Sequence, residues 1–194
     1  IVATDDAGWA DTLGDLPISI DLDAPDRPFH FGQRLAEIVE RHDLQRILYL
    51  GAAACPLLTA DQFRLIADAL QSHDRTVIAN NIHSTDWAAI TPAPIIADWI
   101  DRLGADNGLG WVLSNDAGLT PMAWPASPAT RLDIDVPIDA QIAALHPACG
   151  PHLRRVMTDV AWSDVRLRAA REVIGTRASR LTLIGRVPSW AWAQ

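Results

Sequence analysis

Short apolar runs alternate along this chain with stretches in which apolar residues return every three or four positions, a pattern that predicts strands interleaved with helices. Residues 1–4 read as a buried strand, and Asp5-Asp6 follows where acidic side chains complement the positive end of a helix running to about Leu13. A second strand is predicted over 17–20, then a polar loop over 21–28. Leu35, Ile38 and Val39 share one face of a helix between Phe31 and Asp43. The run 46–53 is apolar without alternation, as expected of a central parallel strand covered on both faces. Thr59 and Gln62 have capping-box spacing ahead of Phe63, Ile66, Ala67 and Leu70, which make one helical face. Strands follow over 76–80 and 87–90. Thr91 then reads as a cap and Pro92 as the first residue of a helix to about Leu103. Asp106-Asn107-Gly108 reads as a turn, and three prolines within 121–128 mark a loop. A helix from Pro137 to about Leu145 closes the main unit. Beyond it, 146–194 reads as one or two Arg-bearing helices and a terminal strand over 181–187.

Strands and helices in this order predict an α/β fold, a Rossmann-like three-layer sandwich with a mostly parallel sheet. One domain over 1–194 is expected, with 146–194 as its C-terminal extension. In such sheets ligands bind beyond the carboxyl ends of the strands. The post-strand segments are therefore the places to look for chemistry.

Composition narrows the classes. With 194 residues and 49% hydrophobic content the chain can bury a real core. Its formal charge of -8 argues against nucleic acid as a partner, because neutralising phosphates needs clustered cations. All 16 basic residues are Arg, which excludes lysine Schiff-base and P-loop lysine chemistry within the chain. Two isolated thiols, Cys55 and Cys149, lead us to expect a reducing, cytoplasmic compartment. The longest apolar stretch, 47–58, is too short to span a bilayer and is broken by Pro56, and no basic leader opens the chain. A chain that begins in a strand, without Met, is expected to have residues upstream.

Four post-strand segments collect polar residues: Thr4-Asp5-Asp6, residues 51–56, residues 80–86 and Asp133-Ile134-Asp135. Asp133 and Asp135, two apart, point the same way in extended chain and could share a hard cation such as Mg²⁺; Asp135 could equally just open the helix at Pro137. Gly51 and Ala52 begin a floor of small residues that lets a ligand approach the backbone, and that equally allows helix packing. Asn80, Asn81 and Asp86, with His83 and Ser84, lie on an exposed connection, where Asn-rich turns are common without function. His146, Cys149 and His152 are interrupted by Pro147, Gly150 and Pro151, so turn chemistry accounts for them better than zinc. Cys55 reads as core, because burial raises a thiol's pKa. Among eight tryptophans, Trp190 and Trp192 share one face of an extended tail, suited to core packing or a homomeric contact.

In order, these segments resemble the GT-A-type nucleotidyltransferases, particularly the MobA-like group that includes molybdenum-cofactor and phospholactate guanylyltransferases. The opening Ile1-Val2-Ala3-Thr4-Asp5-Asp6 resembles the second strand of that fold. Residues 48–58 resemble its "vLvLpaDxPLLt" strand and turn, and Asp133-Ile134-Asp135-Val136-Pro137-Ile138-Asp139 resembles "DIDTPeDl". The resemblance implies a nucleotide or nucleotide-linked small molecule as partner, Mg²⁺ as cofactor, Asp135 as a metal ligand, and transfer of a nucleotidyl group to a phosphate acceptor. Asp5, Gly51, Ala52, Asn80, Asn81 and Asp86 are the expected nucleotide-binding positions, with Asp133 beside Asp135 at the metal. Two departures qualify this. The Asp of "DxPLL" aligns with Ala54, and the Gly-rich "LAAGxGxRM" loop would lie before Ile1. Either another carboxylate (Asp5, Asp86 or Asp133) replaces the missing one, or the domain binds without transferring, or it is a metal-independent glycosyltransferase of the same fold.

Overall fold

The computed structural model describes residues 1–13, 16–24 and 26–182. Strands β1 (Val2–Thr4) and β2 (Ile20–Leu22) form a parallel pair of their own. Helix α1 (Trp9–Leu13) lies between them in sequence. The larger sheet holds β3 (Ile47–Leu50), β4 (Thr76–Ala79), β5 (Trp87–Thr91) and β6 (Thr120–Ala123) in the spatial order β3-β5-β4-β6.

β4 and β5 are buried along their whole length and form the middle of the sheet. Their side chains alternate between two apolar layers, as the period-two geometry of a strand requires. Val77, Ala79, Ala88 and Ile90 enter one cluster with Phe31, Leu35, Val39, Ile96 and Leu113. Ile78, Trp87 and Ala89 enter the other with Cys55, Ile66 and Leu70. Helix α2 (Phe31–Arg41) and the 3-10 helix Ala93–Arg102 supply the first layer. Helix α3 (Ala60–Gln71), opened by the expected Thr59–Gln62 capping box, supplies the second. The result is helix, sheet, helix. Gly32 brings α2 against the 3-10 helix: its N–H donates to Leu103 O at 2.7 Å, and a Cβ there would lie 2.6 Å from Leu103 Cβ.

The sheet departs from the mostly parallel arrangement expected. β4 and β6 run parallel, but β5 is antiparallel to both β3 and β4. The cause is the connection: seven residues join β4 to β5, too few for the crossover a parallel pair needs. The strand at 46–53 is shorter than expected and lies at an edge, half-buried rather than central. Continuous apolarity marks strands covered on both faces, and β3, with one neighbour among the described residues, is covered only in part. The Pro121 segment, read as loop, is the other edge strand; proline lacks the N–H that a central strand would need. Thr91 is the buried last residue of β5 rather than a cap, and a cis Thr91-Pro92 bond precedes the 3-10 helix. The strand expected at 17–20 begins at Ile20.

β2 is anchored to α2 through charge. Asp21, buried at the centre of β2, accepts from Arg34 at 2.8 Å, from Arg41 at 2.5 Å and from His42 at 3.1 Å. Arg34 also reaches Asp23 at 2.6 Å. Past β6 come α5 (Pro128–Arg131), α6 (Pro137–Leu145), α7 (Pro151–Val160) and α8 (Val165–Gly175). Neither α7 nor α8 buries a side chain. The terminal strand expected over 181–187, and Trp190 and Trp192, lie outside the described residues apart from Leu181 and Thr182, which are not in a strand.

Candidate functional site

Because β5 is reversed, its amino end, rather than its carboxyl end, meets the carboxyl ends of β3, β4 and β6. Leu50 pairs with Trp87, and Gly51 N donates to Asp86 O at 3.1 Å, so the small-residue segment after β3 begins beside Asp86. Asn80 closes the β4–β5 connection from inside. Its Oδ1 accepts from the backbone N–H groups of Asp86 at 3.0 Å and Trp87 at 3.4 Å, and its Nδ2 donates to Asp86 Oδ2 at 2.5 Å. A fully buried amide is thereby satisfied at both ends, and the Asp86 carboxylate is held at the rim.

The Asp133 segment is bound to the same rim by backbone. Ala54 and Asp133 form an isolated antiparallel bridge, Cys55 N donates to Leu132 O at 2.9 Å, and Ile134 N donates to Ala53 O at 3.3 Å. Trp87 adds an indole N–H to Thr130 O at 3.2 Å, where the Ser127–Thr130 capping box has just started α5. Next comes α6, whose Asp139 carboxylate accepts from the N–H groups of Asp135 and Val136 at 3.1 and 3.0 Å. Asp135 therefore sits exposed at the mouth of α6, one turn from a carboxylate already spent on capping.

Asp106, in the short 3-10 turn Asp106–Gly108, joins from the far side by accepting the Tyr49 hydroxyl at 2.9 Å. The chain then continues through α4 (Leu109–Trp111) and the wider turn Val112–Asp116. Gly110 is pressed under the rim: its N–H donates to Thr85 Oγ1 at 3.0 Å, and a Cβ would lie 2.7 Å from that oxygen. His83 leans on the Trp111 ring at 5.1 Å between centroids.

The result is a region of uncompensated negative charge. Burial pushes the Asp86 carboxyl above its ordinary pKa; Asn80's hydrogen bond opposes this, and Asp133, Asp106 and Asp135 reinforce it. Asp133 is raised by burial and by the charge of Asp135 beside it. Burial and Asp106 raise Tyr49, and burial, Asp86 and Asp133 push the Cys55 thiol up to about 12. Among the described residues no ion pair joins Asp86, Asp106, Asp133 or Asp135 to an arginine. Such carboxylates suit a cation or a proton at the rim. The Cys55 thiol is unsuited to nucleophilic work.

Of the expected positions, the structure brings Gly51, Ala52, Asn80, Asp86 and Asp133 to this end of the sheet, with Asp135 just outside on the surface. Asn81 folds inward on its own turn, its side chain accepting from His83 N at 3.1 Å and its carbonyl from the Thr85 hydroxyl at 3.0 Å. Asp5 is exposed after β1, on the separate two-stranded pair. Among the described residues no three His, Cys, Asp or Glu side chains group to hold a metal ion. Sequence reasoning missed Asp106 and Tyr49. An Asp-Asn-Gly triplet signals only a turn, and nothing in the order of residues shows that the turn folds back 57 positions to Tyr49. Cavities of about 410 Å³ beside α6, α7 and α8 and about 520 Å³ between α2 and the 3-10 helix lie elsewhere.

Fold and rim together define an α/β domain with a mixed sheet and a cluster of carboxylates at one end of it. The structure is similar to that of a cytidylyltransferase from Leptospira borgpetersenii serovar Hardjo-bovis, with a TM-score of 0.54 and 15% identity over 81% of this chain and 75% of that one. No family model and no curated protein matches the sequence. No helix among the described residues is long and apolar enough to cross a membrane.

Proposed function

We propose that this chain is a MobA-like nucleotidyltransferase-family domain that binds a nucleotide, as triphosphate or conjugate, over the segment 51–54. The observation that carries the reading is the Ala54–Asp133 bridge. It sets the Asp133-Ile134-Asp135 segment directly against the small-residue floor after β3, so a ligand resting on that floor meets carboxylates along one side. A Cβ at Gly51 would rest in ordinary contact with Asp86 O at 3.5 Å and Ala54 Cβ at 3.7 Å, so the floor there is closely packed beneath. Asp133 and Asp135 are hard oxygen donors that pair with no arginine among the described residues. They fit Mg²⁺, which needs only one or two carboxylates when phosphate oxygens and water complete its shell. When bound, the ion would offset charge on the phosphates. This chain's own residues hold the floor open, orient Asp86 through Asn80, and keep Asp133 in place through backbone pairing.

A second reading is favoured by Ala54, which cannot ligate a cation: the domain recognises the nucleotide without transferring it. Two measurements separate these. Saturation-transfer NMR with CTP, GTP and ATP, each with and without Mg²⁺, should show contact for at least one, strengthened by Mg²⁺ and weakened by Asp133→Asn; no transfer from any of them ends both readings. Pyrophosphate release in the presence of phosphate acceptors would remove the second and keep the first.

A further inference from the structure

The chain's charge is divided unevenly along its length. Residues 1–150 carry 21 acidic side chains against eight Arg, whereas residues 151–194 carry eight Arg against three acidic side chains. The net charges are -13 and +5, hidden within a total of -8. The basic part includes α8, an 11-residue helix with no buried side chain and with Val165 70% and Ile174 65% exposed. A helix of that length is marginal in water on its own and draws its stability from packing an apolar face. Something should therefore cover α8, and it must offer both apolar surface and negative charge.

The acidic part carries such a surface. Between α2 and the 3-10 helix runs the groove of about 520 Å³, floored by Ala36, Val39, Leu44, Pro94, Ala97 and Ile100. Glu40 and Asp43 line it as well, beside Glu37, whose carboxylate already pairs with Arg27 at 2.6 Å, and Asp98 and Asp101 are exposed on the adjoining helix. Both α2 and α8 are 11 residues long, about 16 Å each, so one helix matches the other in length. We infer that α8 of a second copy of this chain packs into the groove between α2 and the 3-10 helix, its Arg166 and Arg171 meeting the acidic rim while Arg168 stays paired with its own Asp164 at 2.6 Å. A two-fold axis makes the exchange reciprocal and closes the assembly as a dimer. Nucleic acid would meet the arginines and leave the valines uncovered. An anionic membrane would meet both, but would repel the -13 body.

Glu40 and Arg171 are exposed, and neither takes part in an ion pair among the described residues. Sedimentation velocity on the full chain should show a concentration-dependent dimer. Glu40→Arg and Arg171→Glu should each weaken it about tenfold or more, equivalent to about 1.4 kcal/mol, with unchanged circular dichroism. The double variant should regain dimerisation. Should either single variant unfold, Val165→Asp supplies the same readout from the apolar side. A chain that stays monomeric at all concentrations, a dimer indifferent to these changes, or a monomer that co-sediments with phosphatidylserine vesicles would each overturn the inference.

Discussion

Removing the charge of Asp21 tests how the β1–β2 pair is held to the body. Burial alone would raise this carboxyl, but hydrogen bonds from His42, Arg34 and Arg41 outweigh it and draw its pKa down to about 2 from 3.8. A folded-state pKa below the unfolded one means the carboxylate stabilises the fold above about pH 3.8, and that this stability is lost as pH falls toward 2. At about 1.36 kcal/mol per pKa unit the contribution at neutral pH is about 2.4 kcal/mol, falling to about 1.3 kcal/mol at pH 3. The Asp21 side chain is 4% exposed and that of Arg34 9%, but Arg41 is 53% and His42 29% exposed, so solvent screening makes this figure an upper bound. Asp21→Asn also leaves Arg34 with Asp23 as its remaining carboxylate partner, which adds to the loss.

The assay is urea unfolding of wild type and Asp21→Asn between pH 7 and pH 3, followed by circular dichroism. We expect the variant to be about 2–4 kcal/mol less stable at pH 7, with the gap narrowing as the solution is acidified through pH 4. A gap below about 0.5 kcal/mol, the ordinary scale of a surface substitution, or one that does not change with pH, would refute the view that this ion cluster ties β2 to α2.

Asn80→Ala strands the buried N–H of Trp87 and the part-buried N–H of Asp86 and should cost about 1–3 kcal/mol; the urea midpoint measures this, and a loss of a few tenths would show the amide is not needed. Gly110→Ala forces a Cβ to 2.7 Å from Thr85 Oγ1 and 3.0 Å from Ile82 O and should cost about 1–3 kcal/mol. Gly104→Ala, with nothing within 4 Å, should be close to neutral, both variants being read by their urea midpoints. Cys55, buried and with its thiol raised to about 12, should resist iodoacetamide at pH 8 until the chain is unfolded; native labelling at Cys55 seen by mass spectrometry would contradict that environment.

Elements whose identity is local were legible in the sequence. The Thr59–Gln62 capping box, the face of Leu35, Ile38 and Val39, and the start of α6 at Pro137 depend on contacts within a few residues, and they stand where spacing puts them. What spacing does not encode is partner and direction. The run Ile47–Leu50 looks central because apolarity reports burial averaged over two faces; only the pairing reveals one neighbour. The reversal of β5 depends on the short β4–β5 connection, a topological fact that a period-two pattern lacks. The carboxylates were legible one by one. Their grouping was not, because Asp106 reaches the rim through Tyr49 and Asp133 through the backbone of Ala54.

That last contact turns the alanine at 54 into an experiment. Residues directly opposite in an antiparallel pair have Cβ atoms about 4.5–5.5 Å apart, so Ala54→Asp sets a new carboxylate across from Asp133. Two unit charges at about 5 Å repel by about 3 kcal/mol at an effective dielectric of about 20, and solvent at this half-open rim reduces that toward about 1 kcal/mol. Without a divalent ion the variant should therefore melt lower than wild type. Added Mg²⁺ should recover the loss, because two facing carboxylates with Asp135 nearby offer it a fuller set of hard oxygens than the native rim does. The readout is the change in melting temperature on Mg²⁺ addition, compared between Ala54→Asp and Ala54→Asn. The neutral amide has nearly the same shape and should not respond. An equal response from both, or none from the aspartate, would mean that this rim does not present its carboxylates to a common cation, and the case for Asp133 and Asp135 as metal ligands would fall with it.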